Sequence, residues 1–172
     1  MSAEPPVQRG EHLLEREQRV QAPLERTFDV YSNASNLAVI TPPWLGFQIT
    51  SELPIEMREG ALISYRLRLH AIPVRWTTRI ENWDPPHRFT DLQLSGPYAL
   101  WHHTHEFESE GDATVIRDRV RYRIGYGPLG TVAHRLFVLR DLKRIFDYRR
   151  DATAELIAGA AATTQLARSP AT

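Results

Sequence analysis

Between Gly96 and Ile124 the chain alternates with a period of two, and the face turned inward by that alternation carries polar groups. After Gly96-Pro97, Trp101, His103, His105 and Phe107 share one face, while His102, Thr104, Glu106 and Glu108 share the other. A turn at Glu110-Gly111-Asp112 follows. Then Ile116, Asp118, Val120, Tyr122 and Ile124 fall on one side, opposite Arg117, Arg119, Arg121 and Arg123. A row of arginines requires water, so the opposite face points into the protein. The spacing predicts two antiparallel strands of a half-buried sheet. Their inner wall mixes aromatic rings with two imidazoles, a carboxylate and a phenol, which is the composition of a small-molecule pocket.

Elements of one domain flank this hairpin. A first strand at 13–20 ends before Ala22-Pro23, and proline suits the first turn of a helix. Residues 23–32 place Leu24, Phe28 and Tyr31 at helical spacing. A second short helix at 34–40 stops at Thr41-Pro42-Pro43. Strands follow near 45–52, 61–70, 74–83, 89–94, 98–108 and 114–124, separated by turn-forming residues that include Ala71-Ile72-Pro73. Thr131 is placed to cap a final helix reaching about residue 158. Its apolar stripe uses Val138, Leu142, Ile145, Ala152 and Leu156, together with Val132, Leu136 and Leu139. The expected class is α+β: a curved antiparallel sheet of about seven strands wrapped on one long C-terminal helix, with two short helices after the first strand. Residues 11–160 form the domain, and 1–10 and 161–172 read as disordered termini.

Composition narrows the function. A chain of 172 residues with 42% hydrophobic content suits one globular domain. Lys and Arg number 21 against 21 Asp and Glu, which gives no bulk attraction to nucleic acid or to an anionic membrane. There is no cysteine, which excludes thiol catalysis and thiolate-bound metal. No apolar run reaches membrane-span length and residues 1–11 lack a signal-peptide core, so the expected location is cytoplasmic.

The element order, with Thr41-Pro42-Pro43-Trp44-Leu45, Gly96-Pro97-Tyr98, Trp101-His102-His103-Thr104-His105-Glu106-Phe107 and Asp118-Arg119-Val120-Arg121-Tyr122, resembles the START-like, helix-grip superfamily over residues 12–158. The resemblance is to its bacterial ligand-binding and polyketide cyclase-like branch. It implies a hydrophobic ligand held between sheet and long helix. It brings no agreed catalytic set.

The candidate chemistry centres on His103, His105 and Asp118. A two-residue turn at Glu110-Gly111 sets His103 across from Asp118, and one at Gly111-Asp112 sets His105 there instead. Either pair serves as an oriented general base, or as a buried pair that satisfies itself. The second reading is preferred, with His103, His105 and Asp118 kept as catalytic candidates. A metal on His103 and His105, with Asp118 third, is set aside: His102 points away and no HExxH-type helical spacing supports it. No metal and no cofactor are expected. Trp44, Tyr65, Trp76, Trp101, His103 and Tyr122 are the expected ligand contacts. The outward arginines read as a charge ladder against Glu15, Glu17, Glu106 and Glu108 rather than a nucleic-acid face. Lys143, Arg144, Arg149 and Arg150 read as a solvated helix face matched by Asp141, Asp147 and Asp151.

The resulting expectation is a binding, and possibly transport, protein for a small hydrophobic or aromatic molecule, with no nucleic-acid partner and at most transient membrane contact. The alternatives are a cyclase or aromatase-like enzyme using the inner His-Asp-Tyr group, and an accessory protein delivering a lipid or quinone through the Trp44 loop.

Overall fold

The computed structural model describes residues 7–125 and 137–168, with side chains to residue 159. Strand β1 (His12–Val20) leads into α1 (Leu24–Ser32), a 3-10 turn (Ala34–Asn36), α2 (Leu37–Ile40) and a second 3-10 turn (Pro43–Leu45). Six strands follow: β2 (Gln48–Ile49), β3 (Leu62–Leu69), β4 (Ile72–Asp84), β5 (Arg88–Ser95), β6 (Leu100–Glu110) and β7 (Ala113–Arg123). The chain closes with α3 (Leu139–Arg168). The strands form one seven-stranded antiparallel sheet in the order β1-β7-β6-β5-β4-β3-β2, as expected for a helix grip. Among the described residues no helix is long and apolar enough to cross a membrane.

Local chemistry sets the boundaries. In α1, Leu24, Thr27, Phe28 and Tyr31 fall on one buried face at three- and four-residue steps, and Asn33 Oδ1 accepts from the Ser35 amide at 3.0 Å to open the next turn. The strand expected at 45–52 shrinks to Gln48–Ile49. Pro43–Leu45 winds into a 3-10 turn instead, and Gly46 leaves it with φ +52°, a left-handed conformation that glycine adopts without a Cβ penalty. The turn expected at Ala71-Ile72-Pro73 lies one residue earlier. His70 and Ala71 both take positive φ in a two-residue hairpin, so Ile72 and Pro73 begin β4. Pro73 is tolerated because β5 pairs with β4 only from Thr77 onward, which leaves Pro73 with β3 alone as neighbour.

The inner face of the sheet packs against α1 and α3. Phe28 and Tyr31 of α1 meet Ile80, Phe89, Phe107 and Ile116 of the sheet and Ile157 of α3. Farther along, Leu142 and Phe146 of α3 pack with Leu14, Val120 and Tyr122. The most buried helix positions are Leu142, Phe146, Thr153 and Ile157, so the stripe is turned by about one residue from the expected phase at 145, 152 and 156. The helix also runs to Arg168, past the expected end at 158 and into the segment read as a tail, through a stretch rich in good helix formers. Thr131, Val132 and Leu136 lie outside the described residues.

On the outer face the charge ladder is present. Arg117 bonds Glu17 at 2.9 Å and Glu108 at 2.5 Å, and Arg119 lies 3.5 Å from Glu15. Arg121 departs from the expectation of a wholly wet arginine row. It is buried, and its guanidinium donates to Glu11 Oε2 at 2.8 Å under the chain that enters β1.

Candidate functional site

The β6–β7 turn decides which groups meet. Gly111 takes φ +64° as the first of two loop residues, so Glu110 pairs with Ala113 and the ladder sets His105 across from Asp118. Of the two registers open on sequence, the turn at Gly111-Asp112 is the one adopted. Both histidines nevertheless reach the carboxylate. His103 Nε2 lies 2.9 Å from Asp118 Oδ1, and His105 Nδ1 lies 2.6 Å from the same oxygen at an angle too bent for a straight hydrogen bond. The adjacent strand adds a group that sequence reasoning missed: Asp91 of β5, whose Oδ2 is 3.0 Å from His105 Nε2. The two imidazole rings pack at 3.9 Å between centroids. Phe89, Tyr31 and Phe146 surround them at 4.5, 5.6 and 5.4 Å, respectively.

Burial would leave the carboxylates neutral, but the bonded histidines override it. Desolvation opposes ionisation of Asp118, and the hydrogen bond from His103 together with the close His105 ring still holds it well below the usual carboxylate range. Asp91 is lowered in the same way, with burial opposed by the bond from His105. Burial also opposes protonation of His105, yet its two carboxylate partners raise its pKa. His103 goes the other way: burial, then the charge on His105, bring it down to about 4. The two carboxylates thus favour the protonated form of His105, whereas His103 beside it is neutral at neutral pH. A carboxylate can only accept, so the proton of neutral His103 sits on Nε2, and Nδ1 keeps the lone pair.

A cavity of about 130 Å³ opens in front of this cluster, between the sheet and α3. Its apolar wall includes Tyr65, Trp76, Trp101, Leu142 and Phe146, and its polar end is Asp91, His103 and Arg149. The Trp76 indole N–H is satisfied by Thr78 Oγ1 at 3.1 Å, so this ring meets the cavity as a preset apolar surface. Burial pushes the Tyr65 and Tyr98 phenols above their ordinary values, so both stay neutral donors. The volume is of the order that takes one small aromatic ring. Asp118 faces away from the cavity, into a second, polar cleft shared with Tyr31, Arg16, Asp147 and Arg150. Arg149 lines both spaces, with its guanidinium carbon 5.6 Å over the Tyr31 ring.

The structure thus brings Tyr65, Trp76, Trp101 and His103 onto one cavity wall. Tyr122 lies elsewhere, fully buried behind Tyr98 and Trp101 with ring centroids 6.0 and 6.2 Å away. Trp44 is 52% exposed and lines a different cleft with Arg68, His70 and Arg144, separated from the main cavity by Leu45, Leu69 and Ile145. Arg149 corrects the reading of a solvated basic helix face. Positions 142, 145, 149 and 153 step by three and four, which was the available signal that 149 faces inward. The signal for Asp91 was its shared parity with Phe89 in a short strand. One ligand atom from each of Asp91, His103 and His105 falls within 4.8 Å of the others, so among the described residues these three are placed to hold a metal ion.

No family model matches the chain, and no curated protein matches it. Solved structures do. A protein of Thermus thermophilus superposes with a TM-score of 0.69 at 19% identity, covering 87% of this chain and 99% of that one. The Zhui aromatase/cyclase of a Streptomyces species gives 0.70 at 16% identity, covering 86% and 94%. A START superfamily protein of Mycobacterium smegmatis gives 0.62 at 11% identity, covering 84% and 99%. The chain has the START-like helix-grip fold. At these identities the likeness extends to the fold alone.

Proposed function

We propose that the protein binds one small hydrophobic or aromatic molecule, close to a single substituted ring in size, in the cavity between the sheet and α3. The observation that carries this reading is the composition of the cavity: aromatic side walls and one polar end made of Asp91, His103 and Arg149. Apolar surface supplies affinity in such a site, and a few convergent polar groups fix orientation. Carriage of the bound molecule to another partner is compatible with the same site. The fold likeness to a START superfamily protein supports a ligand-holding role by analogy.

The test is calorimetric titration with single-ring phenols, aromatic carboxylates and quinones, on the wild type and on Leu69→Trp. Leu69 is half-buried on the cavity wall, so a larger ring there takes up the space without entering the most buried core. Saturable one-to-one binding lost in Leu69→Trp supports the proposal. Equal binding by both proteins overturns it.

A second reading, enzymatic, rests on His103. A neutral imidazole on the cavity wall, with Nε2–H held by Asp118 and a lone pair on Nδ1, is equipped to take a proton from a bound substrate. The likeness in fold to an aromatase/cyclase supports it by analogy. The cavity volume restricts such a substrate to something smaller than a multi-ring polyketide. Turnover of an enolisable aromatic ketone, abolished in His103→Gln with binding retained, would favour this reading over simple holding. Delivery of a lipid or quinone through Trp44 has less behind it, because that ring packs edge-on to Tyr148 under the Arg144 guanidinium.

A further inference from the structure

We propose that Asp91, His103 and His105 form a site for one divalent first-row transition metal ion, with Asp118 holding both histidines in place, which goes beyond the ligand-binding reading. Sequence spacing offers only His103, His105 and Asp118, and that set is weak. The fold adds Asp91 from the neighbouring strand, on the same inward face, and brings one atom from each of the three within 4.8 Å of the others. Two imidazoles and one carboxylate are a donor set that suits zinc or iron(II).

Asp118 strengthens the case. Histidines bound to metal almost always give their other ring N–H to a carboxylate, which fixes the tautomer and aims the free nitrogen. Here one oxygen, Asp118 Oδ1, stands 2.9 Å from His103 Nε2 and 2.6 Å from His105 Nδ1. With His105 Nδ1 turned to Asp118, the nitrogen left for an ion is Nε2, which is the atom 3.0 Å from Asp91 Oδ2. Asp91 and His103 line the aromatic cavity, His105 is buried directly beside them, and Asp118 lines the cleft behind. An ion there keeps positions open toward the cavity, where the oxygen of a bound phenol or carboxylate can enter its coordination sphere. Charge also favours an ion here, because two carboxylates, Asp91 and Asp118, converge on the two imidazoles.

The experiment uses the whole protein, stripped with a chelator, desalted and titrated with Zn²⁺ and, separately, Co²⁺. Metal content is read by plasma mass spectrometry and geometry by the visible absorption of Co²⁺. The expected result is one equivalent retained through desalting. Asp91→Asn and His103→Gln should weaken binding at least as much as Asp118→Asn, for which a loss of about 10–100-fold is expected. His70→Gln, which removes the exposed His70–Asp141 pair, should leave the equivalent in place. A readout that needs no variant is the imidazole nitrogen spectrum of the wild type. Zn²⁺ should shift the resonances of His103 and His105 and leave those of His12 and His70 unmoved. Absence of binding overturns the proposal. So does an equivalent that survives both Asp91→Asn and His103→Gln, one lost only in His70→Gln, or shifts confined to His12 and His70.

Discussion

Asp91 faces His103 across the β5–β6 ladder, yet its Oδ2 accepts from Nε2 of His105, the next inward residue, at 3.0 Å. Asp118 repeats the diagonal on the other side: it faces His105, and His103 Nε2 donates to its Oδ1 at 2.9 Å. Two aspartates thereby brace three neighbouring strands through two imidazoles. His103, His105 and Asp118 are buried and Asp91 is half-buried, each with a partner whose charge or donor would be stranded by its removal.

That bracing fixes the order of two Asp118 variants in metal-free protein. Asp118→Asn keeps an oxygen where Oδ1 stands and loses only the charge, so it should cost about 1–3 kcal/mol. Asp118→Ala leaves both histidines without their shared acceptor and should cost about 3–5 kcal/mol. Urea unfolding in chelator checks this. Equal costs for the two variants would mean that the shared acceptor contributes nothing.

The Glu11–Arg121 pair gives a pH-dependent prediction away from the site. The Gln8 amide and the Arg121 guanidinium both donate to Glu11, and they hold its carboxyl below the ordinary value. A carboxyl depressed in the folded state contributes stability above its unfolded value, near about 4.3, and loses it as pH falls through the folded value. Glu11→Gln should therefore be less stable than wild type by about 1–3 kcal/mol at neutral pH, with the gap closing in acid. Thermal melts at pH 7 and pH 3 measure it, and a gap that widens in acid would refute it.

Gly96 sits where a Cβ would lie 2.4 Å from Gln93 Oε1. Gln93 clasps the β5–β6 turn, with Nε2 donating to the Tyr98 carbonyl at 2.7 Å. Gly96→Ala should displace that side chain and cost about 1 kcal/mol, the worth of the lost hydrogen bond. In Gln93→Ala the same glycine substitution should cost much less, and a double-mutant cycle reads the difference.

Sequence made the sheet legible because β6 and β7 alternate cleanly, with aromatics and imidazoles inward and arginines outward. The turn register stays open in the sequence, since Gly111 fits either two-residue loop, and the pairing of Glu110 with Ala113 selects one. Asp91 was hidden for a different reason. A single acidic residue in a short strand reads as solvent-facing, and its partners lie 12 and 14 positions away on another strand. Arg149 was hidden by charge. Its helical phase places it inward, but it neighbours Arg150 in a run of basic and acidic residues that looks solvated. Arg121 differs from its neighbours through Glu11, a contact 110 residues away that no local pattern announces. Alternation reports faces, whereas sites form where faces of distant strands converge.

The four indoles offer the most direct test of a ligand held in the cavity. Trp76 and Trp101 line it, Trp83 is packed against Phe28 and Phe89, and Trp44 lines a separate cleft. Indole N–H resonances of isotope-labelled protein, followed during titration with a single-ring aromatic, separate these environments in one spectrum. Trp76 and Trp101 should shift together to saturation at one equivalent, with Trp44 and Trp83 unmoved. Shifts confined to Trp44, or no indole shift with any single-ring phenol, carboxylate or quinone, would contradict it.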